Sequence, residues 1–140
     1  MTANYIEGSL RFHDELILKA SRPSGWILAS RFRYRTNIGR QRDIQVPVGF
    51  NTDLASIPRI VRSLITKDGP NRYAAVLHDY LYSLAGGGPK GTSREDADTI
   101  FKEAMIDIGV PRWKIFLLYR GVRVGGWVSF NRHKRKKDNV

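Results

Sequence analysis

Two periodicities divide the chain near residue 56. From Trp26 to Tyr34 apolar and polar positions alternate, with Leu28, Ser30, Phe32 and Tyr34 on one face and Ile27, Ala29, Arg31, Arg33 and Arg35 on the other. A period of two marks a half-buried strand and turns Phe32 and Tyr34 towards a core, away from the three Arg. Tyr5–Phe12 and Glu15–Lys19 read as shorter strands around the turn-prone His13-Asp14, and Arg22-Pro23-Ser24-Gly25 is a loop by composition. After a turn at Asn37-Ile38-Gly39 the chain returns over Gln41–Val48, which completes a small antiparallel sheet.

From Ser56 the period lengthens. Ser56 reads as a helix cap with Pro58 in the first turn, and Ile57, Ile60, Val61 and Leu64 follow as an apolar stripe that ends at Lys67-Asp68-Gly69-Pro70. A second helix is predicted over Asn71–Leu84, with Tyr73, Val76, Leu77, Tyr80 and Leu81 along one face. Gly86-Gly87-Gly88-Pro89-Lys90-Gly91 forms a flexible loop. Thr92-Ser93-Arg94-Glu95 has the spacing of a capping box for a third helix, which carries Ala97, Ile100, Phe101, Ala104, Met105 and Ile108 and stops at Gly109-Val110-Pro111. A fourth begins near Pro111 with Trp113, Phe116, Leu117, Tyr119 and Val124, and its Gly121, Gly125 and Gly126 either allow close packing or mark a break. Strands first and helices afterwards give an α+β fold: a small N-terminal antiparallel sheet followed by a C-terminal bundle of about four helices. The reading is of a single domain over 1–130 with a basic flexible tail over 131–140.

Charge adds a second theme. The net charge is +11, and it is unevenly placed. Arg22, Arg31, Arg33, Arg35, Arg40 and Arg42 follow one another with no acid among them, and Arg132, Lys134, Arg135, Lys136 and Lys137 crowd the tail. Such an excess favours nucleic acid, an anionic surface or an acidic protein, and its plainest reading is a solvated basic surface. Phe32 and Tyr34 face away from the Arg, which weakens a single-strand binding platform. There is no Cys, so thiolate metal sites and disulfides are excluded. The N-terminus lacks a signal-peptide pattern, and no stretch reaches the roughly 20 apolar residues of a membrane span.

The candidate chemistry lies between Asn51 and Met105, where Asp53, Ser56, His78, Asp79, Arg94 and Asp98 interrupt apolar sequence. Buried polar groups without partners cost about 1–3 kcal/mol each, so these residues form either a satisfied network or a site. As a site, His78 is a general base or metal ligand, with Asp53, Asp79 and Asp98 as carboxylates and Arg94 as an anion clamp. A lone His with no second His at ligand spacing is weak metal evidence, and no metal or cofactor is assigned. A Ser56/His78/Asp79 triad is disfavoured because neighbours on one helix point about 100° apart; Asp53 or Asp98 is the better orienter of His78. As a network, Asp53 or Asp98 bonds His78 and locks the helices onto the loop, and Arg94 pairs with Asp98 one turn along.

The run Val46-Pro47-x-Gly49-Phe50-x-Thr52-Asp53-x-Ala55-Ser56-x-Pro58, then Ala75-Val76-Leu77-His78-Asp79-Tyr80-Leu81-Tyr82, then Arg94-x-x-Ala97-Asp98-x-x-Phe101-x-x-Ala104-Met105, resembles a family of small bacteriophage and prophage proteins of unknown function. The resemblance covers about Val46 to Gly126, leaves the Arg strand and the tail outside, and implies a phage origin without supplying an activity. The leading expectation is a phage binding or structural protein of the virion (tail, baseplate or head–tail region), with other phage proteins as partners and the virion or host cytoplasm as its location. One alternative is a metal- or acid/base-dependent hydrolase centred on His78. Another is a nucleic-acid or host-factor binder that works through Arg31, Arg33, Arg35 and the tail.

Overall fold

The phase of the alternation survives in the folded chain although the strand that carries it does not. In a computed structural model of the protein, Trp26–Tyr34 is broken at Ala29–Arg31 into two strands that belong to different sheets. The structure describes residues 9–21, 25–38, 43–54, 56–65, 69–84, 92–127 and 130–131. Half of the expected strand over Tyr5–Phe12 falls outside these residues, and its described half forms only an isolated bridge at Phe12. Arg22, Arg40 and Arg42, the Gly86–Gly91 loop, and the basic tail from Arg132 onward also fall outside them.

Strand β1 (Leu18–Ala20), β2 (Trp26–Leu28) and β5 (Asn51–Thr52) form an antiparallel sheet in the order β1-β2-β5, and β3 (Phe32–Arg35) pairs antiparallel with β4 (Asp43–Val46). Leu28, Phe32 and Tyr34 are all buried, so the even positions keep one face across the break. The break itself is paired: Ala29 N–H donates to Ile17 O, so this residue follows the Ile17 side of the chain and not the β3–β4 ladder. Arg11–His13 runs beside β3 through an isolated bridge from Phe12 to Tyr34. Phe12 then meets Phe32, Tyr34 and Tyr73 at ring-centroid distances of 4.7–5.5 Å, which joins the strands to the helices through one aromatic cluster.

Four helices follow: α1 (Arg59–Arg62), α2 (Asn71–Ser83), α3 (Arg94–Asp107) and α4 (Arg112–Gly125). The α+β architecture is therefore that of the strand-then-helix pattern. Three local details differ from it. Helix α1 is a single turn capped at Pro58 with no side-chain cap, because Ser56 Oγ is engaged elsewhere. Ile60 lies exposed, off the buried stripe begun by Ile57. The α3 cap is Ser93, whose Oγ accepts from Asp96 N–H, one residue later than the Thr92–Glu95 box. Helix α3 ends as the sequence suggests: Gly109 has φ +78°, Val110 N–H reaches Met105 O and Gly109 N–H reaches Ile106 O, the bond pair of a Schellman stop.

The three glycines of the last helix are contact points. A Cβ on Gly121 would lie 2.7 Å from Val61 Cγ2, and one on Gly125 would lie 2.8 Å from Pro58 Cγ. Gly126 leaves the same kind of room for the Tyr82 hydroxyl. The missing side chains let α1 and the segment before it lie directly on α4, which holds the Ser56 loop against the bundle. Among the described residues no helix is long and apolar enough to cross a membrane.

Candidate functional site

The site grows from α2. Its His78 and Tyr82 are one turn apart and face α3, where Asp98 projects from the first turns. His78 Nε2 lies 2.7 Å from Asp98 Oδ1, and Tyr82 O–H donates to the same oxygen at 2.6 Å. The other carboxylate oxygen accepts from Arg123 at 2.9 Å, with Arg94 at 3.6 Å. A carboxylate can only accept, so Nε2 carries the ring hydrogen and, in the neutral ring, Nδ1 is an acceptor. Ser56 Oγ lies 3.0 Å from Nδ1 and fills that role as donor. The imidazole is packed between the Tyr82 ring (centroids 4.2 Å) and the Phe101 ring (4.7 Å).

Ser56 also ties a second cluster to the first. Its backbone N–H donates to Asp79 Oδ1 at 3.1 Å, and Thr52 Oγ1 donates to Asp79 Oδ2. The loop that carries Ser56 is bent to do this: Leu54, buried, sits at φ +61°, the one described non-glycine residue in the left-handed region. Asp79 thus binds the loop, Asp98 binds the helices, and Ser56 and His78 bridge the two.

Buried charge shapes the site. Ser56 is 1% exposed, and His78 and Asp98 are 0% exposed. Burial and the neighbouring Asp98 charge push the Tyr82 phenol well above its ordinary range, so it stays a donor. Arg94, besides facing Asp98, donates to Val122 O and Arg123 O near the end of α4, so its guanidinium is engaged within the protein.

Of the residues singled out in the sequence, His78 and Asp98 are in direct contact, and Ser56 joins them. Asp79 is buried alongside but bonds Thr52 and Ser56, not His78. Asp53 is exposed and outside the buried cluster. Arg31 and Arg33 both face Asp14, Arg33 through two hydrogen bonds at 2.8 and 3.1 Å and Arg31 at 3.8 Å, while Arg35 lies 3.6 Å from Asp43. The strand Arg are therefore paired with carboxylates of their own chain. Thr52, Tyr82 and Arg123 were not singled out as site residues. Tyr82 shares a helix face with His78, and Thr52 is the inward position of β5, so both carried a signal; Arg123 carried none.

Chemically the order Ser–His–Asp is that of a nucleophilic relay, with the ring reversed: the serine sits on Nδ1 and the carboxylate on Nε2, opposite to the usual serine-hydrolase template. Among the described residues no group of three or more His, Asp or Glu side chains is arranged to hold a metal ion.

Residues 26–122 match a family model described as "Protein of unknown function (DUF1353)". The match begins upstream of the Val46–Gly126 resemblance, so Arg31, Arg33 and Arg35 fall inside the family segment. No match was found among curated proteins or among solved structures.

Proposed function

This chain belongs to the DUF1353 family, and we propose that it is a bacteriophage-encoded binding protein, associated with the virion, whose buried polar cluster is a structural lock. The observation that carries the binding reading is the outward face of α4. Ile115, Leu118 and Val122 bury one side of this helix, yet Trp113, Phe116, Leu117 and Val124 stand exposed on the opposite side, and Trp127 is exposed just past its end. A contiguous apolar surface opposite a packed core marks an interaction face. The lock reading is supported by the way every member of the Ser56–His78–Asp98 chain is used: four chain segments meet in it, and Ser56 offers no open approach to a substrate. The phage assignment rests on the motif resemblance. Mass spectrometry of purified particles of the encoding phage tests it, with the protein expected at constant copy number through successive purification steps. Its absence from clean particles would overturn the virion assignment.

The hydrogen-bond order Ser56–His78–Asp98 favours a second reading, a serine-type hydrolase whose loop opens to admit substrate. Incubation with a fluorophosphonate probe separates the two. The lock predicts no adduct in the folded protein, whereas a Ser56 adduct that disappears in Ser56→Ala establishes the hydrolase.

A further inference from the structure

We propose that the outward face of α4 docks on an anionic phospholipid surface; this names the partner for the binding reading above and rests on it. At 100° per residue, positions 113, 116, 117, 120 and 124 of α4 share one face, directly opposite the buried Ile115, Leu118 and Val122, and the exposed Trp127 follows two residues past the helix end. Together with Trp127 this face holds five large apolar side chains, each between 42% and 76% exposed, with Arg120 as the cation among them. From Trp113 to Val124 it extends about 17 Å along the helix at 1.5 Å per residue. Two tryptophans stand at its ends, the residue type best suited to the boundary between headgroups and acyl chains.

Charge selects the occupant. No Asp or Glu occurs between Asp107 and Asp138, and this interval carries nine cations: Arg112, Lys114, Arg120, five in the tail, and Arg123, which Asp98 already engages. Two of the helix cations lie against the apolar face, Lys114 over the Trp113 ring at 5.6 Å and Arg120 over the Phe116 ring at 5.3 Å. Aliphatic stems along aromatic surface with cationic ends beside it are how Lys and Arg sit at a lipid boundary. An apolar stripe of Trp, Phe and Leu bordered by Lys and Arg is the pattern of a helix lying in the interfacial plane, held by apolar burial and by attraction to anionic headgroups. A deformable lipid surface accommodates an exposed helix face without a matching groove. Here the helix is already folded on the bundle through Gly121 and Gly125, so binding does not have to supply the cost of forming it.

The test is flotation of the full chain with vesicles of phosphatidylcholine alone or mixed with phosphatidylglycerol, at low and high salt, with tryptophan emission recorded in parallel. The expected result is binding to the anionic vesicles only, a blue shift on binding, and weakening as salt rises. The Trp113→Ser/Trp127→Ser variant, changed only at exposed positions, is expected to bind about tenfold more weakly while its thermal unfolding is unchanged. A chain shortened before Arg132 separates the tail's contribution: it is expected to bind more weakly and to keep the blue shift. Failure to bind anionic vesicles at low salt overturns the proposal. So does equal binding by the double variant, which would mean adsorption by charge alone. A solution mass of twice the chain that falls to one chain in the double variant also overturns it, because the face would then join two copies. If vesicle binding fails while the protein is still found in purified particles, the lipid assignment falls and the virion-associated binding reading stands.

Discussion

Replacing Asp98 by Asn tests the lock directly, because it changes one charge and almost no volume. In the native protein this carboxylate accepts from His78, Tyr82 and Arg123, and Arg94 is 3.6 Å away. An amide keeps one accepting oxygen. Turned towards Arg123, its NH2 group meets a guanidinium that can only donate; turned towards His78 and Tyr82, it finds an acceptor only if the imidazole moves its hydrogen to Nδ1 and Ser56 becomes the acceptor. One buried donor left without an acceptor costs about 1–3 kcal/mol. Removing one partner of a buried ion pair costs about 3–5 kcal/mol. Arg123 keeps 32% of its side-chain exposure, so water screens part of the loss and the lower end applies. The expected destabilisation is about 3 kcal/mol, a large share of the roughly 5–15 kcal/mol that holds a domain together. In urea, with a slope of about 1–3 kcal/mol/M, the midpoint falls by roughly 1–3 M. Glu95→Gln, an exposed change on the same helix, serves as the control and is expected to move stability by less than about 0.5 kcal/mol. A midpoint for Asp98→Asn within about 0.3 M of the parent refutes the lock. Retained or raised stability is instead what a cluster kept for chemistry predicts, since functional polar groups are held at the expense of stability.

Gly121→Ala gains helix propensity, worth about 1 kcal/mol, yet places its Cβ 2.7 Å from Val61 Cγ2; overpacking of this kind costs about 1–3 kcal/mol, so calorimetry should show a lower melting temperature that Val61→Ala restores. Hydrogen bonding to Arg33 holds the Asp14 carboxyl below its usual range, so this pair stabilises the fold above the unfolded carboxyl value near pH 4 and loses that contribution as pH falls through the lower folded value. Arg33→Gln should therefore shrink the acid-side fall in stability measured by urea titration between pH 5 and pH 2, and an unchanged acid limb would remove the pair from the account.

What the sequence disclosed was mostly local. Helix α2 was expected over Asn71–Leu84 and spans Asn71–Ser83, because its apolar face and its flanking breakers lie within a few residues of one another. The stop of α3 was legible for the same reason, as Gly109 supplies the left-handed residue such a stop requires. The division of Trp26–Tyr34 between two sheets was not, since alternation fixes which side chains face inward but not which neighbour each strand pairs with. Ser56 before Pro58 has the chemistry of a cap and of a side-chain donor, and only the approach of α2 decides between them. Asp53 was named beside Asp98 as a partner for His78, although inward and outward positions alternate along Asn51–Leu54 and put Thr52, not Asp53, inside. Periodicity alone could have chosen between the two. The placement of Arg123 was not legible, because one Arg among the cations of α4 meets Asp98 only through the crossing of α3 and α4.

Leu54 carries a kinetic implication. A left-handed Leu is disfavoured by roughly 1–2 kcal/mol in an isolated chain, so the Asn51–Ile57 segment takes its native path only as a minor conformation until something holds it there. What holds it are Asp79 and His78, both on α2, together with the Pro58 and Val61 contacts on α4. The loop is thus stabilised in its native path only by helices already in place, and the expectation is that its closure falls on the downhill side of the folding barrier. Substitutions at Thr52 or Ser56 should then register mainly as faster unfolding with refolding rates nearly intact, whereas changes at the α2–α3 contact slow refolding itself. The persistence of the folded state under heat or protease is, on this view, set by how often one strained turn lets go.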